Sequence, residues 1–362
     1  MTATLKSQRT ASPGDWPRDE LESVPRCPVC AESRRTVLHR GLSDRVFFCA
    51  PGVWTLHRCL DCGTAYLDPR PNTDSIGRAY ARYYTHSAPA DGLAVPALRR
   101  RRRRLELRNG YLNAKFGYDL QPCDPAGERR LSPRRRIQAD RVVRHLPKPA
   151  GPGRLLDLGC GNGAFLLQMR AAGWEVEGIE PDPESVASAR AAGLNVRQGV
   201  LQPDSYPPEY FDALTLSHVI EHLHDPPDTL RLCHRILKPG GRLWVATPNL
   251  ASLGHARFGA DWFALDPPRH LAIFTPASLR LAMRRAGFEP DAKLIPSLDA
   301  RWLYFASTHV ARGNDPIDAP RLPLLARWCI QAIAAAANRR TLREPEVTEE
   351  LVLLATRAGP IA

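Results

Sequence analysis

Short apolar runs alternate with amphipathic stretches of helical period through the second half of this chain. Such alternation is typical of strands separated by helices, which build a parallel, doubly wound α/β sheet. The pattern predicts strands at 155–158, 175–180, 195–197, 211–217 and 242–247, and helices from 164, at 183–192 and at 226–237. In a sheet of this type, ligands bind beyond the carboxyl ends of the strands. We therefore expect the functional residues to follow the strands.

Two further strands and a helical insertion are predicted near the carboxyl terminus. Apolar runs at 288–295 and 350–357 favour a hairpin that completes a seven-stranded sheet, with a helical insertion at about 297–348 between them. Within the insertion, residues 322–337 are rich in leucine and alanine, which favours a buried helix or one that forms a homodimer. A helix on a membrane surface is a less favoured interpretation.

The amino-terminal half divides into three segments by composition. Residues 1–24 are polar and without periodicity, which predicts a disordered tail. Residues 25–75 carry paired cysteines and short apolar runs, which predict a zinc-ribbon-like module. Residues 76–150 predict a helical, arginine-rich connecting segment, and residues 151–362 form the predicted α/β domain.

Cys27, Cys30, Cys59 and Cys62 form two CxxC pairs separated by 28 residues. Each pair can make a turn that aims two thiolates at one point, and four such sulfurs complete a tetrahedral zinc site. The separation exceeds the roughly 15–20 residues usual for paired CxxC sites, and a longer hairpin absorbs the difference. Unliganded or redox-active thiols are the alternative. With all four ligand positions taken, we expect the zinc to be structural.

The net charge of +12 is concentrated in one segment. Residues 94–144 hold fourteen arginines and one lysine against five acidic residues, a balance of +10, and six arginines are consecutive at 99–104. Consecutive residues on a helix point in all directions, so a solvated, charge-rich helix is the favoured interpretation. Contact with an anionic lipid, a nucleotide-linked substrate or a nucleic acid is the alternative, because guanidinium groups bind phosphate.

The sequence contains no feature that predicts export or membrane insertion. No run of about 18 apolar residues occurs, and the first residues lack the apolar segment of a signal peptide. The odd number of cysteines, nine, also favours thiols or metal ligands over a disulfide framework. We therefore expect a soluble, cytoplasmic protein without a transmembrane segment.

A glycine-rich turn follows the first strand of the α/β pattern. Asp157 precedes Gly159, Gly161 and Gly163, and the next strand ends on Glu180. Glycines at alternate positions allow positive φ and let a ligand lie against the backbone. Asp157 suits an ammonium group, and Glu180 can accept hydrogen bonds from two ribose hydroxyls; S-adenosylmethionine carries both groups. The turn also fits the looser dinucleotide fingerprint, so a nicotinamide enzyme or a purely structural turn is the alternative.

Later residues favour the first interpretation. Ser217 and His218 end the fourth strand and lead into VIEHL, and LKPGG at 237–241 precedes the fifth strand. With these motifs, residues 154–287 resemble class I S-adenosylmethionine-dependent methyltransferases, in the branch that includes quinone-biosynthesis and sugar methyltransferases. The CxxC pairs and PRHL at 268–271 extend the resemblance to zinc-containing sugar C-methyltransferase-like proteins. The resemblance implies a seven-stranded Rossmann-like sheet and S-adenosyl-L-methionine as cofactor, bound by Asp157, Gly159, Cys160, Gly161, Gly163, Glu180, Ser217 and His218.

The resemblance also implies methyl transfer to a small-molecule acceptor. A sugar or nucleotide-linked sugar, which can bear phosphate, is the favoured acceptor, and O-methylation of a quinone or lipid-like acceptor is the alternative. A nucleic-acid-binding or nucleic-acid-modifying protein is a second, disfavoured alternative. An acceptor that carries a proton needs a base, and His222 and His270 are the candidates. Each has an equally weighted structural alternative, His222 as a helix cap and His270 as a residue that holds its loop.

Overall fold

A sheet of seven strands forms the centre of the computed structural model, which describes residues 14–81, 99–291 and 294–358. In chain order the strands are β1 Leu21–Glu22, β2 Arg35–Leu42, β3 Trp54–Cys59, β4 Ala65–Leu67, β5 Arg70–Pro71, β6 Arg154–Leu158, β7 Glu175–Glu180, β8 Asn195–Gln198, β9 Phe211–Ser217, β10 Leu237–Pro248, β11 Ala272–Ile273, β12 Phe288–Pro290 and β13 Glu350–Arg357. The helices are α1 Arg99–Phe116, α2 Gly127–Arg130, α3 Pro133–Val142, α4 Ala164–Ala171, α5 Pro183–Ala191, α6 Pro226–Ile236, α7 Leu253–Phe258, α8 Pro276–Arg285, α9 Ala300–Ala311 and α10 Leu324–Arg343.

The central sheet has the strand order β12-β13-β10-β9-β6-β7-β8. The five strands from β10 to β8 in this order are parallel neighbours, whereas β13 pairs antiparallel with both β10 and β12. The direction of winding reverses between β6 and β9, so the crevice at the carboxyl ends of these two strands is the topological switch point. The predicted doubly wound, seven-stranded sheet is confirmed, including the antiparallel hairpin at its edge.

The sequence determines this sheet through strands that are apolar on both faces. Leu155 and Leu156 are neighbours on β6 and both have no exposed surface, as expected for a parallel strand covered by helices on both sides. Helix α5 begins where the Asp182 carboxylate accepts a hydrogen bond from the Ser185 N–H. Strand β10 begins at Leu237 and not at residue 242, because LKPGG continues the strand through an irregularity in its register with β9.

A second sheet joins the amino-terminal module to the large domain. Strands β2, β3 and β4 are antiparallel neighbours, and β4 pairs in turn with β11, which belongs to the large domain. In this register, Tyr66 lies opposite Ala272. Because the sheet contains strands from both parts of the chain, the module is attached directly to the loop that precedes β11.

Residues 14–24 are ordered, contrary to the prediction of a disordered tail up to residue 24. Strand β1 pairs with β5, and the buried ring of Trp16 packs edge-on against Trp54 with 5.7 Å between ring centroids. A single tryptophan supplies a large apolar contact. A segment this short has too few residues to show a hydrophobic period. Residues 1–13 lie outside the described part of the chain.

Helices α1, α2 and α3 carry the cluster of arginines. All six consecutive arginines at the start of α1 are exposed. Two of them make ion pairs, Arg102 with Glu106 and Arg103 with Asp124. This arrangement agrees with the interpretation of the run as a solvated, charge-rich helix. Residues 82–98, within the predicted connecting segment, lie outside the described residues.

Helices α9 and α10 occupy the predicted insertion and pack on each other. Ala334 and Ala337 of α10 are buried, whereas Leu324, Leu325 and Trp328 are 71%, 77% and 71% exposed. The expectation of a helix buried within the chain is therefore wrong for the first turns of α10. In the part of the chain that the structure describes, no helix has both the length and the apolar character needed to span a bilayer.

Candidate active site

The glycine-rich turn lies at the switch point of the sheet, between β6 and α4. Gly159, Gly161 and Gly163 have φ angles of 66°, 53° and 81°, a region that residues with a side chain rarely adopt. A Cβ on Gly159 would lie 2.4 Å from Cγ2 of Val219, so no larger residue fits there. The turn therefore has the bare, tightly curved backbone that a nucleoside cofactor requires, and in this respect the residues fit S-adenosylmethionine.

Glu180 is held beside the turn by backbone donors. It ends β7 and is 7% exposed. Its Oε2 accepts a hydrogen bond from the Gly161 N–H at 2.7 Å, and its Oε1 accepts one from the Asp182 N–H at 3.0 Å. Burial raises the pKa of Glu180. Each carboxylate oxygen keeps a second lone pair, which fits the predicted contact with a ribose diol.

Cys160 is a packing residue within the turn. It is buried, and a Cβ on Gly178 would lie 2.5 Å from its Sγ. Burial raises the pKa of the Cys160 thiol, so the sulfur is an unreactive neutral group. Its predicted contact with the cofactor stays a prediction.

Asp157, at the carboxyl end of β6, is paired with an arginine that sequence reasoning missed. Its Oδ1 accepts hydrogen bonds from Arg144 Nη1 and from Thr215 Oγ1, the latter at 2.7 Å, and the residue is 1% exposed. The guanidinium of Arg144 also lies 3.5 Å from the centroid of the Phe165 ring. Asp157 thus balances Arg144 inside the protein, and its contact with an ammonium group stays a prediction. Arg144 is one of fourteen arginines in its segment, so no local pattern distinguishes it from the others.

Ser217 ends β9, and His218 follows it between two carboxylates. Its Nε2 lies 2.7 Å from Oε1 of Glu350, and its Nδ1 lies 3.3 Å from Oε1 of Glu221. Burial alone would lower the pKa of His218, but hydrogen bonds with Glu221 and Glu350 raise it well above its ordinary value. The side chain of His218 is 43% exposed, as expected for a ring that lines an open cleft. The cofactor contacts predicted for Ser217 and His218 stay predictions.

We expect His218 to remain protonated at pH 7 and Glu350→Gln to lower its pKa. Folding raises the pKa of His218 above its unfolded value of about 6.5. The pair therefore stabilises the fold fully below that pH and loses this contribution as the pH rises through the folded pKa. An NMR titration of protein labelled at histidine measures the pKa of His218 in the wild type and in Glu350→Gln. A wild-type His218 that titrates at or below about 6.5 would contradict this assignment.

His222 and His270 face each other, with 4.7 Å between ring centroids. Nδ1 of His222 lies 3.0 Å from the carbonyl oxygen of Arg269, and Nδ1 of His270 lies 2.8 Å from that of Ala264. A carbonyl oxygen only accepts, so these contacts assign the proton to Nδ1 of each ring and leave a lone pair on Nε2; the Tyr80 hydroxyl, 2.9 Å from Nδ1 of His222, then acts as a second acceptor. Burial, and next the proximity of His270, lower the pKa of His222 to about 4, so His222 is neutral at pH 7. The structure therefore brings the two predicted candidates together.

Glu221 adds a negative charge to the histidine pair. It is fully buried, and its Oε2 accepts a hydrogen bond from Thr247 Oγ1 at 2.9 Å. Its carboxylate and a ring nitrogen of each of His222 and His270 lie within 4.8 Å of one another. Burial alone would raise the pKa of Glu221, but the hydrogen bond with His218 and the nearby histidines lower it to about 2. An ionised carboxylate at this place stabilises a histidine that accepts a proton.

A cavity of about 310 Å³ lies between α3 and the loop before α9. It is lined by Ile137, Gln138, Arg141, Val142, Leu298 and Asp299. Arg141 connects the cavity to the site, because its Nη2 lies 2.7 Å from Oε2 of Glu350, the partner of His218. The volume of the cavity is at the lower end of the roughly 300–1,000 Å³ usual for small-molecule sites.

The four predicted zinc ligands converge in the amino-terminal module. The sulfurs of Cys27, Cys30, Cys59 and Cys62 lie within 4.8 Å of one another, with 3.5 Å between Cys27 and Cys62 and 3.4 Å between Cys30 and Cys59. Tetrahedral zinc with Zn–S bonds of about 2.3 Å needs sulfurs about 3.8 Å apart, so the donors fit. All nine cysteines are free thiols. The cluster is compatible with a structural zinc ion.

Fold and site together define a doubly wound α/β protein with a nucleoside-type glycine turn. The family model described as a methyltransferase domain matches residues 130–293. A ubiquinone biosynthesis O-methyltransferase of Xanthomonas axonopodis pv. citri is 36% identical over 155 residues, which cover 39% of this chain and 64% of that protein. A protein of the same name from Cereibacter sphaeroides is 31% identical over 175 residues, 45% of this chain and 71% of that protein. The chain belongs to the S-adenosylmethionine-dependent methyltransferase family, in its quinone-biosynthesis branch.

The matches leave part of the chain uncovered. This chain spans 64% of the length of the Xanthomonas relative, and the family model includes neither the amino-terminal module nor β13. An S-adenosylmethionine-dependent methyltransferase structure from Mesorhizobium loti is 20% identical, with a TM-score of 0.41, and the match covers 61% of this chain and 98% of that one.

Proposed function

We propose that the protein transfers a methyl group from S-adenosylmethionine to a hydroxyl of a small phenolic, quinone-like acceptor. The observation that carries the proposal is the pair of facing imidazoles of His222 and His270, each with Nδ1 on a carbonyl oxygen, in one cluster with the ionised carboxylate of Glu221. The relatives named above are O-methyltransferases of ubiquinone biosynthesis, which supports the quinone alternative over the sugar acceptor that the sequence favoured.

The glycine turn and Glu180 serve to hold the donor. S-adenosylmethionine, when bound, supplies an electrophilic methyl group. The cofactor lies against the backbone at Gly159, Gly161 and Gly163, and the carboxylate of Glu180 accepts hydrogen bonds from the ribose of the cofactor. Holding the acceptor hydroxyl in line with the methyl–sulfur bond supplies much of the reduction in the activation barrier, at best about 7–11 kcal/mol.

The histidine pair serves to take the proton of the acceptor. A hydroxyl oxygen that gains a methyl group must lose its hydrogen, because the product ether is neutral. An Nε2 lone pair on His222 or His270 accepts this proton, and the nearby carboxylate of Glu221 stabilises the imidazolium that forms. The zinc cluster lies outside this chemistry, since its four sulfurs take all the ligand positions.

The proposed acceptor class is tested by incubating the full-length, zinc-loaded protein with S-adenosylmethionine and two panels of acceptors. One panel contains catechols and hydroxylated quinols with short isoprenoid tails, and the other contains nucleotide sugars. We expect S-adenosylhomocysteine and a methyl ether from the first panel only. Methylation of the nucleotide sugars without methylation of the catechols and quinols would overturn the acceptor class and leave methyl transfer intact.

Substitution of the two histidines tests their role in that reaction. We expect His222→Gln or His270→Gln to lower kcat for a hydroxyl acceptor by roughly 10²–10⁴-fold, the usual contribution of a general base, with the affinity for the donor unchanged. His234→Gln is the matched control, because His234 lies on α6 against Phe288. Loss of turnover in only one variant would identify the base. Unchanged turnover in both would remove the histidines from the mechanism.

A further inference from the structure

A buried arginine connects the amino-terminal module to the loop that carries His270. Arg269 has no exposed surface, and each of its five N–H groups has an acceptor. Nε and Nη2 donate to Asp266, Nη1 and Nη2 donate to Asp44 at 3.1 and 2.5 Å, and Nη1 also donates to the Ala79 carbonyl oxygen at 2.8 Å. Asp44 and Ala79 come from the amino-terminal part of the chain, so the two parts meet at this side chain.

Asp44 is itself fixed by the loop that follows it. Its Oδ1 accepts hydrogen bonds from the N–H groups of Val46 and Phe47, and its Oδ2 accepts them from those of Cys49 and Ala50. Burial alone would raise the pKa of Asp44, but the hydrogen bond and charge of Arg269 and these backbone donors lower it to about 2. The carboxylate is therefore a rigid, ionised anchor for the guanidinium.

The backbone around this anchor sets both imidazole rings. The carbonyl of Arg269 accepts from Nδ1 of His222, and His270 is the next residue in the chain. The hydroxyl of Tyr80, which follows Ala79, lies 2.9 Å from the same Nδ1 of His222. The guanidinium contacts restrain the backbone of Arg269 from one side, and the carbonyl of the same residue is the acceptor that keeps the proton of His222 on Nδ1.

We propose that Asp44 is a positioning residue through which the amino-terminal module fixes the tautomer of the histidine pair. Asp44 holds Arg269, the Arg269 carbonyl holds Nδ1–H of His222, and the adjoining loop places the ring of His270 against that of His222. The role of the Nε2 lone pairs as proton acceptors rests on the proposed function. The tautomers themselves are a property of the folded protein without substrate.

The test compares histidine tautomers in four forms of the full-length, zinc-loaded protein labelled with ¹⁵N at histidine. Long-range ¹H–¹⁵N spectra distinguish Nδ1–H from Nε2–H, and His222→Gln and His270→Gln assign the signals. In wild type we expect pure Nδ1–H forms of both rings. In Asp44→Asn and Arg269→Lys we expect His222 to become a mixture of tautomers. Asp261→Asn is the matched control, since Asp261 makes an exposed ion pair with Arg45, the neighbour of Asp44, and should leave both tautomers unchanged.

Each outcome decides the proposal. Pure Nδ1–H signals in folded, zinc-loaded Asp44→Asn and Arg269→Lys would overturn it. If both variants lose zinc and unfold, Asp44 serves the stability of the fold and the proposal is also overturned. Titration of the same samples with S-adenosylhomocysteine separates the positioning role from the proposed function. We expect wild type and Asp44→Asn both to bind, because the contacts of Asp44 are with Arg269 and with its own loop and not with the glycine turn. A wild-type protein that fails to bind while its tautomers respond to Asp44→Asn would refute the function and keep the positioning role.

Discussion

Gly161→Val is expected to lower the affinity for S-adenosylhomocysteine by more than about 100-fold, two steps of 1.4 kcal/mol. The φ of Gly161 is 53°. Left-handed backbone costs an L-residue about 1–2 kcal/mol, and a β-branched side chain is especially disfavoured there. The new side chain would also take up space against which the ligand lies. Because the Gly161 N–H donates to Glu180, a displaced turn moves the ribose-binding carboxylate as well.

Gly151→Val is the matched control for this substitution. Gly151 lies in the loop before β6, and no atom lies within 4 Å of the place where its Cβ would be. We expect its affinity to stay within about twofold of wild type, as for most surface substitutions. Calorimetric titration measures both variants. Wild-type affinity in Gly161→Val would show that the ligand does not lie against this turn.

Cys59→Ala is expected to remove zinc and to unfold the amino-terminal module. Structural zinc in small domains contributes apparent binding free energies of about 10–16 kcal/mol, and three thiolates cannot close the tetrahedron. Cys59 also ends β3, whose neighbour β4 pairs with β11 beside the His270 loop. Loss of zinc should therefore lower the Tm and expose Arg269 and its carboxylate partners. Metal analysis, thermal unfolding and limited proteolysis measure these effects.

Cys329→Ala controls for the loss of a thiol, because Cys329 is exposed on α10. It should retain about one zinc per chain and the wild-type Tm, as expected for a surface substitution. If Cys59→Ala also retains its zinc and its Tm, then the four sulfurs are not a metal site.

Much of the large domain could be predicted because its signals are local. Strand β7 was predicted with its observed bounds, and α5 and α6 begin at the predicted residues 183 and 226, both prolines in a first helical turn. The glycine turn could be predicted for the same reason, since the positive φ at Gly159, Gly161 and Gly163 favours glycine. The CxxC pairs were equally explicit, and their sulfurs converge despite the long spacing between the pairs.

The missed features depend on contacts between distant parts of the chain. Glu350 meets His218 from β13, and Asp44 meets Arg269 across 225 positions. A single aspartate or glutamate in a sequence does not reveal which cation it will pair with. The shared sheet of β4 and β11 was missed because β11 has only two residues, too few to show alternation. The order around Trp16 was missed because it depends on contacts with the distant residues Trp54 and Ser75.

Calorimetric titration of the wild-type, zinc-loaded protein with S-adenosylhomocysteine tests the central claim most directly. The claim is that the turn at residues 159–163 and the carboxylate of Glu180 form a nucleoside site. We expect saturable heat with a stoichiometry of about one ligand per chain, as one glycine turn implies, and no competition from nicotinamide dinucleotides. Absence of heat from the folded protein with both S-adenosylmethionine and its demethylated product, or tighter binding of a nicotinamide dinucleotide, would contradict the account.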